Sequence, residues 1–296
     1  MLKLLDTKWM NGKQVIITGC STGIGRELAR ILSVERGCNI LGIARNVTKL
    51  EALKAELKDK FQYYSMDVGD SEAWNTFATS DLVKEFKPDI LINNAGIIHP
   101  FIKFTELDDK EINRVIKTNY LSLIYSCRTM IPVLNNSATP ALINVSSASA
   151  LLPVAGASVY SSTKSAAYSL TDVLREELMG SGFYVAVVLP GPVRTDLYNA
   201  HGDSTEVKVA DKDLFANAGI SAHHAASIIV RKISRRNNYI VVGGIAKGMA
   251  WFRNMMPEGS ISLTGKMLRA LPVKTFKNLF INEKLEKRLR KTNRKK

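Results

Sequence analysis

Gln14-Val15-Ile16-Ile17-Thr18-Gly19-Cys20-Ser21-Thr22-Gly23-Ile24-Gly25 is the stretch whose reading decides the fold. Its first five residues form a short β-branched run of the kind that fills a central parallel strand. Three glycines follow, and beyond them Leu28, Ile31 and Leu32 recur at helical spacing. Strand, glycine-rich turn and helix together present backbone N–H groups and a helix N-terminus to a pyrophosphate. Glycine serves where the backbone itself must approach the phosphates, because a Cβ would stand in the way. The spacing is Gly-x-x-x-Gly-x-Gly, not the commoner Gly-x-Gly-x-x-Gly, and no Gly-Lys-Ser/Thr closes it as a P-loop. Taken alone, the motif also suits a tight strand-to-helix turn that binds nothing.

The residues that follow repeat the pattern. Asn39-Ile40-Leu41-Gly42-Ile43 reads as a second strand ending at Ala44-Arg45-Asn46. At this strand end a carboxylate would bind the free 2′-hydroxyl of NAD, whereas an arginine accepts a 2′-phosphate. Ala44 followed by Arg45 therefore predicts NADP(H) in preference to NAD(H), with Arg26 as a second basic candidate. The bland reading of Arg45 is a surface arginine opening the next helix. A helix over Val47–Lys58 leads to a third strand, Phe61–Met66, with Asp67-Val68 at its end. A helix over Ser71–Phe86 leads to Asp89–Ile92 and then Asn93-Asn94-Ala95-Gly96. Strands and helices alternating at these lengths predict an α/β fold: a Rossmann-type, doubly wound parallel sheet in three layers. Ligand-facing residues should collect at the carboxyl ends of its strands. Gly19, Arg45, Asp67, Asn93 and Ser147 are all placed there.

A third stretch carries the chemistry. The apolar run Ala141–Val145 ends in Ser146-Ser147, and a helical pattern from Ser158 onward holds Tyr160 and Lys164. Positions i and i+4 share a helix face, so phenol and ammonium project together toward the serine at the strand end. A phenol has a pKa of ~10, and a nearby ammonium is expected to lower it toward the range useful for general acid/base work. Tyr-x-x-x-Lys occurs by chance on many solvated helices, so its weight comes from the motifs before it. Asn119 lies within a long helical stretch, Leu107–Leu134, among apolar residues; a buried structural amide is the alternative reading there. Tyr184–Leu189 reads as a sixth strand, closed by Pro190-Gly191-Pro192-Val193-Arg194-Thr195.

These parts, in this order and spacing, resemble the short-chain dehydrogenase/reductase superfamily in its Tyr-x-x-x-Lys branch, from about Gly12 to about Asp196. The resemblance implies seven parallel strands, Tyr239–Val242 supplying the last. It implies hydride transfer between a nicotinamide and a carbonyl carbon. Tyr160 is then the proton donor in reduction, Lys164 binds the nicotinamide ribose and lowers the tyrosine pKa, Ser147 holds the substrate oxygen, and Asn119 holds a water of the proton relay. Cofactor contacts are implied for Gly19, Ser21, Thr22, Gly23, Ile24 and Gly25. Arg45, Asp67, Val68, Ala95 and Gly96 are implied contacts as well, with Asp67 accepting from the adenine and Asn94 lining the nicotinamide half. Tyr160, Lys164, Pro190, Gly191, Val193 and Thr195 would meet its nicotinamide half. Departures are Thr22, where many NADP-using members carry a basic residue, and Ala150, where a glycine is usual. Members commonly pair through the helices that here hold Asn119 and Tyr160, so a homodimer or homotetramer is expected.

Composition sets the outer bounds. The 296 residues are 46% hydrophobic and 23% charged, which suits a sizeable core. Three cysteines without Cys-x-x-Cys spacing argue against a disulfide framework and fit a reducing cytoplasm. Four histidines show no metal-ligand spacing, so no metal is expected. No signal-like start and no stretch of membrane-spanning length stands out. The net charge of +14 is uneven: residues 231–296 hold 18 of the 41 basic and 3 of the 27 acidic residues, so that segment carries +15 and the remainder −1.

The chain is accordingly divided into a cofactor-binding and catalytic domain, 1–244, and a basic helical extension, 245–296. The polar stretch Asn199–Phe215 occupies the usual place of a substrate lid. In the extension, apolar residues among lysines and arginines suit helices lying at a membrane surface, although core packing, a subunit interface or a solvated tail remain alternatives. The tail lacks the aromatic interleaving suited to base stacking, so no nucleic-acid partner is expected. The composite expectation is an NADP(H)-dependent reductase of a hydrophobic ketone or aldehyde, cytoplasmic and peripheral at a membrane. The alternatives are a dehydrogenase of a small polar alcohol or sugar, and a cofactor-binding scaffold without turnover.

Overall fold

The structure, a computed structural model, describes residues 7–199 and 219–270. Its frame is a seven-stranded parallel sheet: β1 (Gln14–Thr18), β2 (Asn39–Ala44), β3 (Phe61–Ser65), β4 (Ile90–Asn93), β5 (Ala141–Val145), β6 (Tyr184–Pro190) and β9 (Tyr239–Val242). They lie in the order β3-β2-β1-β4-β5-β6-β9. A small parallel pair, β7 (Val193–Arg194) with β8 (Ile220–Ser221), stands apart. The order reverses between β1 and β4, and a crevice at the carboxyl end of that switch point is where such sheets take ligands.

Both faces of the sheet are covered over its inner strands, which is why these are buried almost throughout and not alternating, whereas β3 at one edge carries partly exposed polar and aromatic residues. Successive strand residues point to opposite sides. Val15 and Ile17, Ile90 and Ile92, and Ile143 belong to one core with α1 (Gly23–Arg36), α2 (Val47–Leu57) and α8 (Ala222–Ser234). Ile16, Leu91 and Leu142 belong to a second core with α3 (Ser71–Thr79), α4 (Asp81–Phe86), α6 (Ser122–Leu134) and α7 (Ser158–Glu177). After β9 come α9 (Gly244–Met255) and α10 (Gly259–Ala270).

Two helices expected to be continuous are divided. Ser80 breaks the stretch 71–86: its backbone is extended (φ −66°, ψ 153°) and its hydroxyl caps α4 by accepting from Val83 N. The stretch 107–134 begins at Asp109, capped by Asp108, and runs as α5 (Asp109–Ile116) into a π-helical turn, Lys117–Leu121, and then α6. Asn119 sits in that turn. Of the lid stretch Asn199–Phe215 only the first residue is described, and 271–296 of the extension also lie outside the described residues.

Candidate active site

A cleft of about 960 Å³ opens along the carboxyl edge of the sheet. Its first wall is backbone. Gly19 turns the chain out of β1 at φ +66°, and a Cβ there would come within 2.8 Å of Ala95 Cα. Gly23, at φ +55°, approaches Thr195, whose Cγ2 would lie 3.0 Å from an added Cβ. Gly25 does not line the cleft; it lets α1 close on β1, where a Cβ would stand 2.3 Å from Gly19 O and 2.4 Å from Asn94 Nδ2. Thr18 Oγ1 accepts from the N–H groups of Asn94 and Ala95 (2.9 and 3.0 Å), while Asn94 Nδ2 donates to the carbonyls of Thr18 and Gly19 (3.0 and 3.2 Å). This stitches β1 to the end of β4, across the switch point.

The first turn of α1 has neither an acidic residue nor a side-chain cap at Thr22, whereas α2, α3, α5 and α8 are capped by Asn46, Asp70, Asp108 and Ser221. Its N–H groups, with the positive end of the helix, face Ser21, Thr22, Gly23 and Ile24 on the cleft wall. A narrow glycine cradle and an uncapped helix start fit the pyrophosphate of a dinucleotide.

Farther along the same wall stand Arg45, Asn46 and Lys49, then Asp67 and Val68. Arg45 is exposed. Arg26 does not join it: its guanidinium is held by Glu56 at 3.0 Å. Lys49, unmarked by the sequence reading, supplies the second cation of this rim and approaches Asp196 at 4.0 Å. Its signal was its place one helical turn past Arg45, with Asn46 capping the helix between them. Asp67 binds Gly69 N (3.0 Å) and pairs with Lys117 at 3.5 Å. Asn93 turns away from the cleft. Its amide is buried, donating to Asn144 Oδ1 (2.9 Å), whose own amide reaches Thr171 Oγ1 (3.0 Å). Asn94, one residue on, lines the cleft beside Ala95 and Gly96.

The floor of the cleft brings together Ser147, Tyr160 and Lys164. Ser147 ends β5 and caps the short turn after it, its Oγ accepting from Ser149 N at 3.1 Å. One turn of α7 separates Tyr160 from Lys164, and the ammonium lies 5.9 Å from the phenol ring centroid. Lys164 is buried and has no carboxylate partner among the described residues; its Nζ donates to Val145 O at 3.0 Å. Burial brings its pKa down to about 8. Burial also pushes the Tyr160 phenol above its ordinary value, with a hydrogen bond from Ser147 working in the opposite sense. The expected lowering of that phenol by Lys164 is therefore overturned in direction: desolvation dominates, and both groups are held toward their neutral forms.

Asn119 lies behind this floor and outside the cleft lining. Its Oδ1 accepts from Ile97 N (2.8 Å), and its Nδ2 donates to Ile97 O (2.8 Å) and Thr163 Oγ1 (3.2 Å). Thr163 in turn donates to Tyr160 O at 2.8 Å. Asn119 Oδ1 and Lys164 Nζ flank Gly96, where an added Cβ would lie 3.5 and 3.1 Å from them. Pro190, Gly191, Val193 and Thr195 form the opposite side. The remaining rim is apolar: Ile97, Phe101, Val154, Leu197, Met249 and Leu268.

Sheet order, cradle and floor define a Rossmann-type fold with its cleft at the switch point. A sequence profile of the short chain dehydrogenase family matches residues 13–206, and the chain belongs to that family of oxidoreductases. It is similar to the NADP-dependent 3-hydroxy acid dehydrogenase of Schizosaccharomyces pombe, 29% identical over 78% of this chain and 91% of that protein. Its fold resembles that of a short-chain dehydrogenase from Sphingobium yanoikuyae in complex with NADPH (TM-score 0.68, 27% identity, 84% of this chain and 94% of that one). It also resembles a short chain dehydrogenase/reductase from Burkholderia phymatum in complex with NAD (TM-score 0.76, 20% identity, 84% and 95%), a likeness of fold alone.

Proposed function

We propose that the chain is an NADP(H)-dependent reductase of a hydrophobic ketone or aldehyde, or in reverse a dehydrogenase of the corresponding alcohol. The observation that carries this reading is the single cleft that joins the glycine cradle, the Ser147–Tyr160–Lys164 floor and an apolar rim. A bound dihydronicotinamide supplies the hydride that the carbonyl carbon receives. Ser147 holds the carbonyl oxygen by its hydroxyl. Tyr160, kept protonated by burial, gives that oxygen its proton. Lys164 offers its ammonium to ribose hydroxyls, which suits a buried cation without a carboxylate among the described residues. Asn119 fixes Ile97 and, through Thr163, the backbone at Tyr160. Its Oδ1 retains a second lone pair for a relay water.

Gly19 to Gly25 take the pyrophosphate, Asp67 and Val68 the adenine side, and Asn94, Ala95, Gly96, Pro190, Gly191, Val193 and Thr195 the ribose and nicotinamide side. Arg45, with Lys49, reads the 2′-phosphate, which is the support for NADP(H). Residues 1–244 form the catalytic domain and 245–296 its basic extension, placed in contact with a membrane surface in the cytoplasm. Homodimer or homotetramer assembly is the accompanying proposal, with the outward Val173 of α7, 46% exposed, as support. The decisive experiment follows NADPH and NADH oxidation against ketones graded from short and polar to long and apolar. Turnover that rises with chain length under NADPH is the expected result; turnover confined to short polar substrates would refute the substrate class.

A further inference from the structure

Seven of the thirteen large hydrophobic side chains exposed among the described residues lie between Ile245 and Met267. Trp251, Met255 and Met267 are 65, 64 and 61% exposed. Elsewhere such residues stand singly, as on any protein surface. On α9, Ile245, Met249, Phe252 and Met256 recur at helical spacing with Trp251 and Met255 beside them. On α10, Ile261, Leu263, Met267 and Leu268 do the same. At 3.6 residues per turn each set covers an arc of roughly 160°. Lys247, Arg253, Lys266 and Arg269 fall outside these arcs, and Glu258 is the one acidic residue of the pair. Ser260 and Thr264, the polar residues inside the α10 arc, donate their hydroxyls back to Pro257 O and Ser260 O. The turn between the helices is tied by Arg253, whose guanidinium donates to Pro257 O and Ser260 Oγ.

The same two helices reach the cleft, whose rim includes Ile245, Met249 and Leu268. We propose that α9 and α10 lie flat on an anionic lipid surface and that this rim takes its carbonyl substrate directly from the bilayer. Charge complementarity selects the occupant: the two helices and the turn between them carry four basic residues against one acidic, and residues 271–296 add ten against two, beside a body, residues 1–243, of net +3. A second copy of the chain would bring like charge onto the same face. No helix among the described residues is long and apolar enough to cross a membrane, so the helices lie on the surface in the manner of interfacial amphipathic segments. The substrate part of this inference rests on the reductase reading above.

The test uses the full chain with phosphatidylcholine vesicles, with and without phosphatidylserine. Wild type is expected to sediment with the anionic vesicles, and salt should release it. The variant Trp251→Glu/Met255→Glu/Met267→Glu, none of whose positions lines the cleft, should partition about tenfold or more weakly. Its turnover of a long-chain methyl ketone held in the vesicles should fall in step, while NADPH oxidation with dissolved diacetyl stays unchanged. Wild type that remains in solution, or a variant that sediments like wild type, overturns the docking face. So does a wild type that ignores vesicles but forms a larger oligomer than the variant, since the face would then join copies. Equal loss on both ketones overturns the entry route. Wild type inactive on both strikes the reductase reading, and sedimentation then decides the docking by itself.

Discussion

The two ends of the cleft are built from different materials. The cofactor end is backbone: glycines at 19, 23 and 25 admit close approach, and Thr18 and Asn94 lock one strand to the next. The substrate end is side chain, with Met249 and Leu268 carried in from helices that follow the sheet. A backbone-built wall tolerates few residue types, because a Cβ meets main-chain atoms that cannot move aside. A wall of methionine and leucine tolerates many, since volume-conserving apolar exchanges cost little. The catalytic floor lies between them and depends on both.

If that contrast holds, the floor should respond most. Tyr160→Phe removes the proton donor and keeps the ring, so kcat is expected to fall by about 10²–10⁴-fold with NADPH affinity, read by fluorescence titration, unchanged. Comparable loss of both would mean that Tyr160 only packs. The cradle comes next. Gly25→Ala forces a Cβ to within 2.3 Å of Gly19 O; overpacking of this kind costs about 1–3 kcal/mol, visible as a lower denaturation midpoint, whereas Met249→Leu should leave the midpoint within error.

Arg45→Asp exchanges a rim cation for an anion. Charge-assisted hydrogen bonds contribute about 1.5–3 kcal/mol, reduced at an exposed site. The NADPH/NADH ratio of kcat/KM should therefore drop by about tenfold, and an unchanged ratio would assign the 2′-phosphate to Lys49.

A further expectation concerns pH. Lys164 titrates at about 8 in the folded chain and near 10.4 when unfolded. Between these values the unfolded chain binds the extra proton, so this residue makes stability rise with pH from about 8 to 10.4. Reduction should decline around pH 8, where the folded chain loses this ammonium. The difference in urea midpoint between wild type and Lys164→Met, followed across pH 8–10, isolates the first effect; parallel slopes would refute the assignment.

The same contrast explains what was legible beforehand. The glycine loop, the strand ends and the Ser147–Tyr160–Lys164 spacing were readable because backbone geometry restricts residue type there. Seven strands came out in the expected places because burial on both faces makes the inner ones continuous apolar runs, while aromatic and β-branched residues mark β3 and β9 at the edges. Lys49 was missed because a lysine one turn into a helix resembles any solvated lysine until Arg45 and Asp196 are placed beside it. Asn93 was grouped with the cleft because adjacent strand residues alternate in direction, and the pair Asn93-Asn94 does not say which one faces inward. The direction of the Tyr160 shift needed the burial of the floor, which no i, i+4 spacing contains. The break at Ser80 was hidden because serine is common within helices and becomes a boundary only when its backbone extends.

The π-helical turn at Lys117–Leu121 has a consequence for how this gene tolerates length change. Such a turn is an α-helix with one residue more than its ordinary count. Removing any one residue between 117 and 121 would restore a regular helix and leave the apolar spacing of α6 intact. The helices on either side would keep their facing, because the turn itself absorbs the extra residue, but the amide at 119 would be drawn off Ile97. A frame-preserving deletion of a single codon there should thus yield a well-folded protein of much reduced turnover, while a conservative substitution in the same turn, Asn119 excepted, passes almost unnoticed.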